Sequence, residues 1–264
     1  MLKNKDITVV IPVHVYDEEV ANLLDNAIKS VPKDVKVIIS TDDKFDLRTS
    51  TVKDKRVTWV ANKTEDTSFQ NLVNLGVKEV KTDWFSILEF DDVYTPIWFD
   101  SFERYQEFNQ QYNAFFPMVD LYDVKDKESN YKFVGYGNEA PWAASFSDTI
   151  GVIDSKSLDN FFNYYPTGAI FRKETWEEVG GLKPSIKLTF WYEFLLRFVS
   201  HSVGGNIFVI PKIGYVHGLG RKGSLLEHYR ETVQKEESEF WIKTAKKESF
   251  FKEERTVEYK PKAK

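Results

Sequence analysis

The chain has 264 residues with a net charge of −5, and 42% of its residues are hydrophobic and 29% charged. This composition is ordinary for a soluble globular protein, and the negative charge disfavours nucleic acid as the main partner. The absence of cysteine excludes disulfides, cysteine-ligated zinc and a thiol nucleophile. The apolar run near the N-terminus is too short for a signal peptide or a membrane span. We therefore expect a cytoplasmic protein with no integral membrane segment.

The first part of the chain alternates between strand and helix patterns. Short β-branched or apolar runs predict strands, and apolar residues at helical spacing predict amphipathic helices. The predicted strands are 7–13, 35–40, 56–62 and 84–88, and the predicted helices are 17–31, 66–81 and 96–110. Asp17 is the expected N-cap of the first helix, Asp66 or Thr67 opens the second, and Pro96 begins the third. Alternation with short connections predicts an α/β fold with a mainly parallel central sheet flanked by helices.

The second part of the chain is more mixed. Its predicted strands are 114–124, 131–137, 167–173, 207–210 and 212–218, and its predicted helices are 173–181, 189–202 and 224–247. The stretch 138–163 is irregular and contains Trp142, so we interpret it as a lid or substrate loop. No domain boundary is evident. We expect one domain with halves at 1–110 and 111–223, followed by a C-terminal helix and polar tail at 224–264.

Three carboxylates end the fourth predicted strand, in the stretch 84-WFSILEFDDVYTP-96. Ligands of parallel α/β sheets bind at the carboxyl ends of strands, which puts Glu89, Asp91 and Asp92 where a ligand is expected. Their mutual repulsion amounts to a few kcal/mol at an effective dielectric constant of about 20. Mg²⁺ or Mn²⁺ would relieve it, and such ions also bind substrate phosphates. The alternative is that these acids cap the helix that begins at Pro96.

The order of the motifs resembles the nucleotide-sugar-binding half of a family 2 inverting glycosyltransferase of the GT-A type. The match begins with the strand and loop ITVVIPVHVYDEE at 7–19 and continues with Thr41-Asp42-Asp43, with Asn74 and Gly76, and with the strand end 87–92. The chain departs from the family pattern at two of these positions. The turn at Asn74 lacks the family's arginine, and Glu89 replaces the first aspartate of the metal motif. The resemblance extends over roughly residues 5–225. It implies a GT-A fold, Rossmann-like, with a smaller mixed region on the acceptor side.

The resemblance also implies a donor site in the first half of the chain and an acceptor and catalytic site in the second. Mn²⁺ or Mg²⁺ would be held by Asp91, the first choice, with Asp92 and His217. The implied donor-binding residues are Pro12, Val13, His14, Tyr16, Glu18, Asp42, Asp43, Asn74, Glu89, Phe90, Arg221 and Lys222. The alternatives are that 215–224 is a solvated basic turn and that His14 is a merely accommodated loop residue.

The catalytic base of the family follows a segment matched here by 168–173 and 176–182. Phe190 and Trp191 replace the Glu-Asp pair that usually supplies the base, so Glu193 is the only carboxylate in 190–197 and is the predicted base. The alternative for Glu193 is a structural pair with Arg197, four residues further on. The aromatic side chains of Trp142, Trp191 and Tyr192 are predicted to stack on the acceptor, with core packing as the alternative.

These observations predict a metal-dependent inverting glycosyltransferase that uses a nucleoside-diphosphate sugar, with a UDP-sugar favoured. The acceptor would be a hydroxyl of a glycan or another molecule. A nucleic-acid acceptor stays open but is disfavoured by the net charge, and the oligomeric state is open. One alternative is a catalytically silent sugar- or nucleotide-binding module of GT-A fold, which the missing Glu-Asp pair supports. Another is a nucleotidyltransferase of related fold, but PVHVYDEE at 12–19 has neither the glycine nor the basic residue expected of its loop.

Overall fold

The computed structural model describes residues 6–45, 53–124, 131–201, 206–221 and 234–246. The strands in these residues are β1 (Ile7–Val13), β2 (Lys36–Asp42), β3 (Val57–Asn62), β4 (Trp84–Ile87), β5 (Val93–Tyr94), β6 (Ala114–Asp123), β7 (Lys132–Gly137), β8 (Val152–Ile153), β9 (Ile170–Arg172) and β10 (Ile207–Leu219). The helices are α1 (Glu18–Ser30), α2 (Phe69–Glu79), α3 (Trp98–Phe108), α4 (Ser155–Asn160), α5 (Lys173–Val179), α6 (Phe190–Ser200) and α7 (Gln234–Lys246), with a 3₁₀ turn at Ala140–Trp142.

All of these strands belong to one sheet, in the order β3-β2-β1-β4-β9-β6-β10-β5, with β7 paired to β6 and β8 to β10. The long ladders β1–β2, β2–β3 and β6–β10 are parallel. Strand β9 runs antiparallel to both of its neighbours, β4 and β6. Strands β1, β2, β3, β4, β6 and β10 therefore point the same way, and their carboxyl ends share one edge of the sheet. The predicted α/β class with a mainly parallel sheet is confirmed.

The sheet has a hydrophobic core on each face. On one face Val10, Ile87 and Phe116 pack with residues of α2, α4, α5, α6 and α7. On the other face Val9, Ile11 and residues of α1 and α3 form the second core. The alternation of side chains along β1 divides its apolar residues between the two cores, as expected for a strand that is buried on both sides.

Several predicted elements begin or end elsewhere than expected. Asp17 caps α1 by accepting a hydrogen bond from the N–H of Val20 at 2.9 Å, as predicted. The cap of α2 is Ser68 rather than Asp66 or Thr67. Helix α3 begins at Trp98, and its N-cap, Ile97, makes no side-chain cap hydrogen bond. The acids before Pro96 therefore do not cap this helix.

The second half of the chain has more regular structure than its sequence pattern indicates. The stretch 138–163 contains the 3₁₀ turn, β8 and α4. The two short strands expected at 207–218 are one strand, β10, with irregular pairing to β6 near Ile213. Gly180 ends α5 in the left-handed conformation, which glycine adopts without strain. Of the expected C-terminal helix only 234–246 is described, so 224–233 and the tail lie outside the described residues.

Among the described residues, no helix combines the length and the apolar character needed to cross a membrane.

Candidate functional site

Two carboxylates and one imidazole converge at the shared carboxyl edge of the sheet. The ligand atoms of Glu89, Asp92 and His217 all lie within 4.8 Å of one another. Asp92 Oδ2 is 2.7 Å from His217 Nδ1, and Asp92 Oδ1 accepts a hydrogen bond from the backbone N–H of Gly218 at 3.0 Å. Strand β10 thus holds Asp92, which follows β4, in a single orientation. We call Glu89, Asp92 and His217 the rim cluster.

The pKa values in the rim cluster show how strongly its charges interact. Burial, followed by the Asp92 carboxylate, raises the pKa of Glu89 to about 8. Burial alone would lower the pKa of His217, but the adjacent Asp92 carboxylate and then Glu89 and Asp91 outweigh burial and raise this pKa to about 9. Without a metal ion, the cluster therefore relieves part of its negative charge by holding protons.

Three further residues position Glu89. The backbone N–H of Glu89 donates to the Tyr215 hydroxyl at 3.1 Å. The side chain of Thr167 interacts with Glu89 and lowers its pKa, against the larger effect of burial. Gly168 follows with a φ of +81°, and a Cβ atom at this position would collide with the Tyr215 ring. Sequence reasoning missed Thr167 and Tyr215, because no local pattern distinguishes them from other residues of a strand or loop.

Asp91 lies beside the rim cluster but has a different partner. Its Oδ2 accepts a hydrogen bond from Arg221 Nε at 2.9 Å. Burial and the neighbouring Asp92 raise the pKa of Asp91, while Arg221 opposes that shift. The structure thus brings Asp91, Asp92 and His217 together as the sequence predicted, but it puts Glu89 rather than Asp91 within ligand distance of the other two. Lys222 lies outside the described residues.

The ends of β1 and β2 carry polar atoms that have no protein partner within the described ranges. These buried atoms are His14 Nδ1, Tyr16 Oη and Thr41 Oγ1. The rings of His14 and Phe90 are 5.6 Å apart, and those of Tyr16 and Phe45 are 6.0 Å apart. Burial lowers the pKa of His14, which keeps the imidazole neutral near pH 7. Buried polar atoms without partners are rare in folded proteins, so a polar ligand is expected here.

The remaining predicted donor residues have several environments. The Asp42 carboxylate is buried and accepts from the Lys44 N–H at 3.0 Å, whereas the side chains of Asp43 and Glu18 are exposed. Pro12 and Val13 are buried in the β1–β2 ladder. The side chains of Pro12 and Val13 are therefore not exposed at the carboxyl edge of the sheet.

Asn74 connects two helical segments of the protein. Its side-chain amide donates to the Leu182 carbonyl at 2.7 Å and accepts from the Leu182 N–H at 2.9 Å. These two bonds fasten α2 to the segment after α5. The donor role predicted for Asn74 stays a prediction, but its amide already has partners within the protein.

Glu193 is fully buried and paired within the protein. Arg197 contacts both carboxylate oxygens, at 2.6 and 2.8 Å, and Lys183 Nζ lies 2.9 Å from Oε1. Arg197 also donates to the backbone carbonyls of Val179, the last residue of α5, and of Gly181 just after it. This geometry favours the structural alternative for Glu193, since a general base must reach the acceptor hydroxyl.

A different carboxylate lies at the N-terminus of α6, near the position of the missing Glu-Asp pair. Glu237 of α7, only 1% exposed, accepts hydrogen bonds from the N–H groups of Lys187, Leu188 and Thr189 at 3.0, 2.9 and 3.2 Å. Lys187 and Leu188 lie just before α6, and Thr189 is its N-cap residue. No sequence pattern could indicate this contact, because the partners are about 50 residues apart in the chain.

The three aromatic residues predicted to bind the acceptor do not lie together. Trp191 packs against Phe69, Trp176 and Phe194 in the core. Tyr192 is buried, and its hydroxyl donates to the Leu158 carbonyl at 2.6 Å. Trp142 is 37% exposed and lines an open groove. Only Trp142 thus presents its ring to a ligand.

The donor set of the rim cluster fits a divalent cation. Carboxylate oxygens suit Mg²⁺ and Mn²⁺, and the imidazole favours Mn²⁺. The ligand atoms are close enough for one ion to replace the protons that the cluster holds without it. The carboxyl edge of the sheet can therefore bind a cation at the rim cluster. The polar atoms beside the cluster can bind an anionic ligand that contains a ring.

Comparison with known proteins identifies the fold. No family model and no curated protein matches the sequence. The structure superposes on S. aureus TarS 1–349 in complex with UDP-GlcNAc with a TM-score of 0.59 and 14% identity, covering 84% of this chain and 60% of that one. A mannosyltransferase from Pyrobaculum calidifontis, PcManGT in complex with GDP-Man and Mn²⁺, gives a TM-score of 0.55 and 14% identity, covering 83% of this chain and 58% of that one.

A longer S. aureus TarS structure gives a TM-score of 0.57 and 13% identity, covering 81% of this chain and 36% of that one. These neighbours are glycosyltransferases of the GT-A type. The chain therefore has the GT-A fold, as the resemblance implied, and it spans between 36% and 60% of the length of these three structures.

Proposed function

We propose that the chain is a metal-dependent inverting glycosyltransferase that moves a sugar from a nucleoside diphosphate to an acceptor hydroxyl. The observation that carries the proposal is the rim cluster, two carboxylates and an imidazole at the carboxyl edge of a GT-A sheet. A UDP-sugar is the favoured donor, and a GDP-sugar is its competitor, because the two structural neighbours hold UDP-GlcNAc and GDP-Man. A cytoplasmic location stays a prediction.

In this proposal, the two parts of the edge bind the two parts of the donor. The nucleoside lies over the ends of β1 and β2, where His14, Tyr16 and Thr41 have unpartnered polar atoms. Asp42 and Phe90 border the same region. The diphosphate lies at the rim cluster, whose Glu89, Asp92 and His217 would hold Mn²⁺ or Mg²⁺. When bound, the ion would neutralise charge on the departing group. Arg221, now paired with Asp91, supplies a guanidinium that suits phosphate oxygens.

The transfer is a single displacement at the anomeric carbon. The acceptor oxygen forms a bond to that carbon while the bond from the carbon to the diphosphate oxygen breaks. The acceptor proton passes to a carboxylate base, and the nucleoside diphosphate leaves with the bonding electrons. No covalent intermediate with the protein is needed, which agrees with a chain that has no cysteine. We do not assign the base to Glu193, because its carboxylate is buried between Arg197 and Lys183.

A second candidate function is a nucleotide-sugar-binding module without turnover. The environment of Glu193 supports it, since Phe190 and Trp191 occupy the place of the usual base and the nearest carboxylate on α6 is paired. This candidate shares the donor site and differs only in the absence of chemistry.

Thermal shift with UDP, GDP, UDP-GlcNAc and GDP-Man, each with and without Mn²⁺, tests the donor site. A ligand that binds the folded state raises the melting temperature according to its concentration and dissociation constant. We expect an Mn²⁺-dependent shift with one nucleotide series, and no such shift with any of the four would contradict the proposal. Donor hydrolysis or transfer then separates the two candidates, because the module binds the donor and releases no sugar.

A further inference from the structure

An open groove of about 250 Å³ lies on the face of the sheet away from His217. We call it the Trp142 groove, and its lining residues are Met118, Tyr136, Glu139, Trp142, Pro211 and Ile213. Met118 of β6 pairs with Ile213 of β10. His217 pairs with Leu121, three residues after Met118. Alternate residues of a strand point to opposite faces, so the groove and the His217 imidazole are on opposite faces of the sheet.

The fold holds the Trp142 ring in place although this side chain is 37% exposed. The ring packs on Gly151, where a Cβ atom would come within 2.9 Å of it. The Gly151 N–H donates to the Pro141 carbonyl, and the Gly151 carbonyl accepts from the Val209 N–H, each at 2.8 Å. These bonds attach the turn that carries Trp142 to β10. Tyr136, which is 48% exposed, presents a second ring to the groove.

The groove combines its apolar lining with negative charge. Glu139 is exposed and is the one charged residue among those that line the groove. The side chains of Met118, Pro211 and Ile213 provide an apolar wall beside it. A ligand of this groove should therefore carry positive charge together with an apolar part.

Asp120 brings a second carboxylate to the same face of the sheet. It pairs with Tyr136 across β6 and β7, and it lies two residues after Met118 in β6. Asp120 Oδ1 is buried without a hydrogen-bond partner within the described residues. Burial raises the pKa of Asp120, and no described basic side chain offsets this shift. An unsatisfied buried acceptor is costly, so a ligand with a charged N–H donor would stabilise this carboxylate.

These features together select a protonated aliphatic amine. An ammonium group is attracted to the faces of tryptophan and tyrosine rings, and its N–H groups donate to carboxylates. Its methylene groups lose contact with water when they lie against an apolar wall. A quaternary ammonium has no N–H to donate to Asp120. An anion would meet the carboxylates of Asp120 and Glu139, and a neutral ligand would leave their charge without a partner.

We infer that the Trp142 groove binds an aliphatic diamine or polyamine. One ammonium group contacts Glu139 and the rings of Tyr136 and Trp142, the methylene chain lies along the apolar wall, and a second ammonium group donates to Asp120. Two charges suit the site better than one, because Glu139 lies three residues beyond Tyr136, the partner of Asp120 in the ladder. The inference does not depend on the proposed function, since this site is on the face of the sheet opposite to His217.

Calorimetric titration of the full chain with spermidine and with 1,8-diaminooctane, at low ionic strength, tests the inference. We expect both amines to bind at one site and 1,8-octanediol, a neutral ligand of similar length, not to bind. Glu139→Gln and Asp120→Asn should each weaken amine binding about tenfold or more, because each removes a charge-assisted hydrogen bond. Trp142→Leu should weaken it about two- to fivefold through the loss of the cation–π contact.

Glu107→Gln is the matched control, because Glu107 is an exposed carboxylate on α3 and its loss should leave amine binding unchanged. The melting temperature of each variant is measured to verify that it is folded. Glu139→Gln should bind UDP with Mn²⁺ as the unmodified chain does. If the unmodified chain binds spermidine but no nucleotide, the proposed function is wrong and the amine site stands.

Three results would overturn the inference. The first is that neither amine binds, or that 1,8-octanediol binds as tightly as the diamine. The second is that folded Glu139→Gln and Trp142→Leu bind spermidine like the unmodified chain, which would show that the amine only screens the net negative charge. The third is that Asp92→Asn abolishes binding while Glu139→Gln does not, which would place the amine at the rim cluster.

Discussion

Two regions of this molecule accommodate their carboxylates in opposite ways. At α6, the buried carboxylate of Glu193 meets two cations, Lys183 and Arg197. At the end of β4, three carboxylates converge, and the basic groups that contact them in the described part of the chain are Arg221 and His217. The first region is neutralised by the chain itself. The second has more carboxylates than basic partners and balances them by holding protons, so it is the region where a cation from solution could replace those protons.

This difference explains why acidic residues that look alike in the sequence have different roles in the structure. A carboxylate that the fold already pairs stabilises the packing of helices, because removing it leaves buried cations without a partner. A carboxylate that the fold leaves in excess is available for a metal or a substrate. The following predictions test this contrast, from the largest expected effect to the smallest.

Replacing Glu193 should destabilise the protein most. In Glu193→Ala, the cations of Lys183 and Arg197 lose their partner, and we expect a loss of about 3–5 kcal/mol in the free energy of unfolding. Denaturant unfolding measures this loss. Glu177→Ala is the control, since its pair with Lys173 is on the surface and is worth at most about 1 kcal/mol. A stable Glu193→Ala variant that binds donor but has lost transfer would restore Glu193 as the base.

Replacing Asp92 should weaken the cation site strongly and leave the fold intact. Asp92→Asn replaces a carboxylate ligand and the charged partner of His217. Loss of a residue that only supports a metal ligand costs about 10–100-fold in metal affinity, so we expect Mn²⁺-dependent nucleotide affinity to fall about 100-fold or more. Calorimetric titration with UDP and Mn²⁺ provides the measurement. Asp34→Asn, in an exposed turn before β2, is the control. Unchanged affinity in Asp92→Asn would show that the rim cluster does not bind the metal.

The metal-free protein should lose stability as the pH rises. The pKa values of Glu89 and His217, about 8 and about 9, lie above the ordinary values of 4.5 and 6.5. The folded state therefore binds more protons than the unfolded state, from about pH 4.5 to 8 at Glu89 and from about pH 6.5 to 9 at His217. The free energy of unfolding falls as the pH rises through these ranges. Mn²⁺ should flatten this dependence, because the ion takes the place of the protons.

Unfolding in urea at several pH values, with EDTA or with Mn²⁺, measures this dependence. His217→Gln should remove the part of it that belongs to the imidazole. Stability that increases between pH 6 and pH 9 in EDTA would contradict the proton-holding arrangement of the cluster.

Replacing Arg221 should have the smallest effect on stability and a modest effect on binding. The side chains of Arg221 and Asp91 are 21% and 18% exposed. We expect Arg221→Gln to lower the free energy of unfolding by about 1–2 kcal/mol, because it removes one hydrogen-bond partner of the mostly buried Asp91 carboxylate. The affinity for UDP with Mn²⁺ should fall about tenfold, or ~1.4 kcal/mol, through the loss of one charge-assisted contact to phosphate. Equal affinity for the variant and the unmodified chain would remove Arg221 from the donor site.

Local patterns in the sequence predicted most of the first half of the fold. The apolar run of β1, the cap at Asp17 and the carboxylates after β4 each depend on neighbours in the chain, so their positions follow from spacing alone. The division of the second half was harder to predict. Its strands pair antiparallel to distant partners, and β10 continues through a stretch whose pattern resembles two short strands.

The candidate site also depends on contacts between residues far apart in the chain, which local sequence patterns do not predict. Sequence placed Asp91, Asp92 and His217 together through the family resemblance, but the contact between Asp92 and His217 joins residues 125 positions apart. Which of Glu89 and Asp91 faces the imidazole depends on the path of the loop and on Arg221. Neither the spacing of the acids nor their chemistry reveals that path.

The sequence by itself determined that parallel strands end in carboxylates at one edge, because hydrophobic periodicity and the alternation of strands with helices are both evident along the chain. Only the tertiary structure decided which carboxylates are neutralised from within. Glu193 meets Arg197 one helical turn away but also Lys183 from another segment, and Glu237 reaches the start of α6 from the far end of the chain. Charge compensation depends on distances of a few ångströms between remote segments, and these distances exist only once the chain has folded.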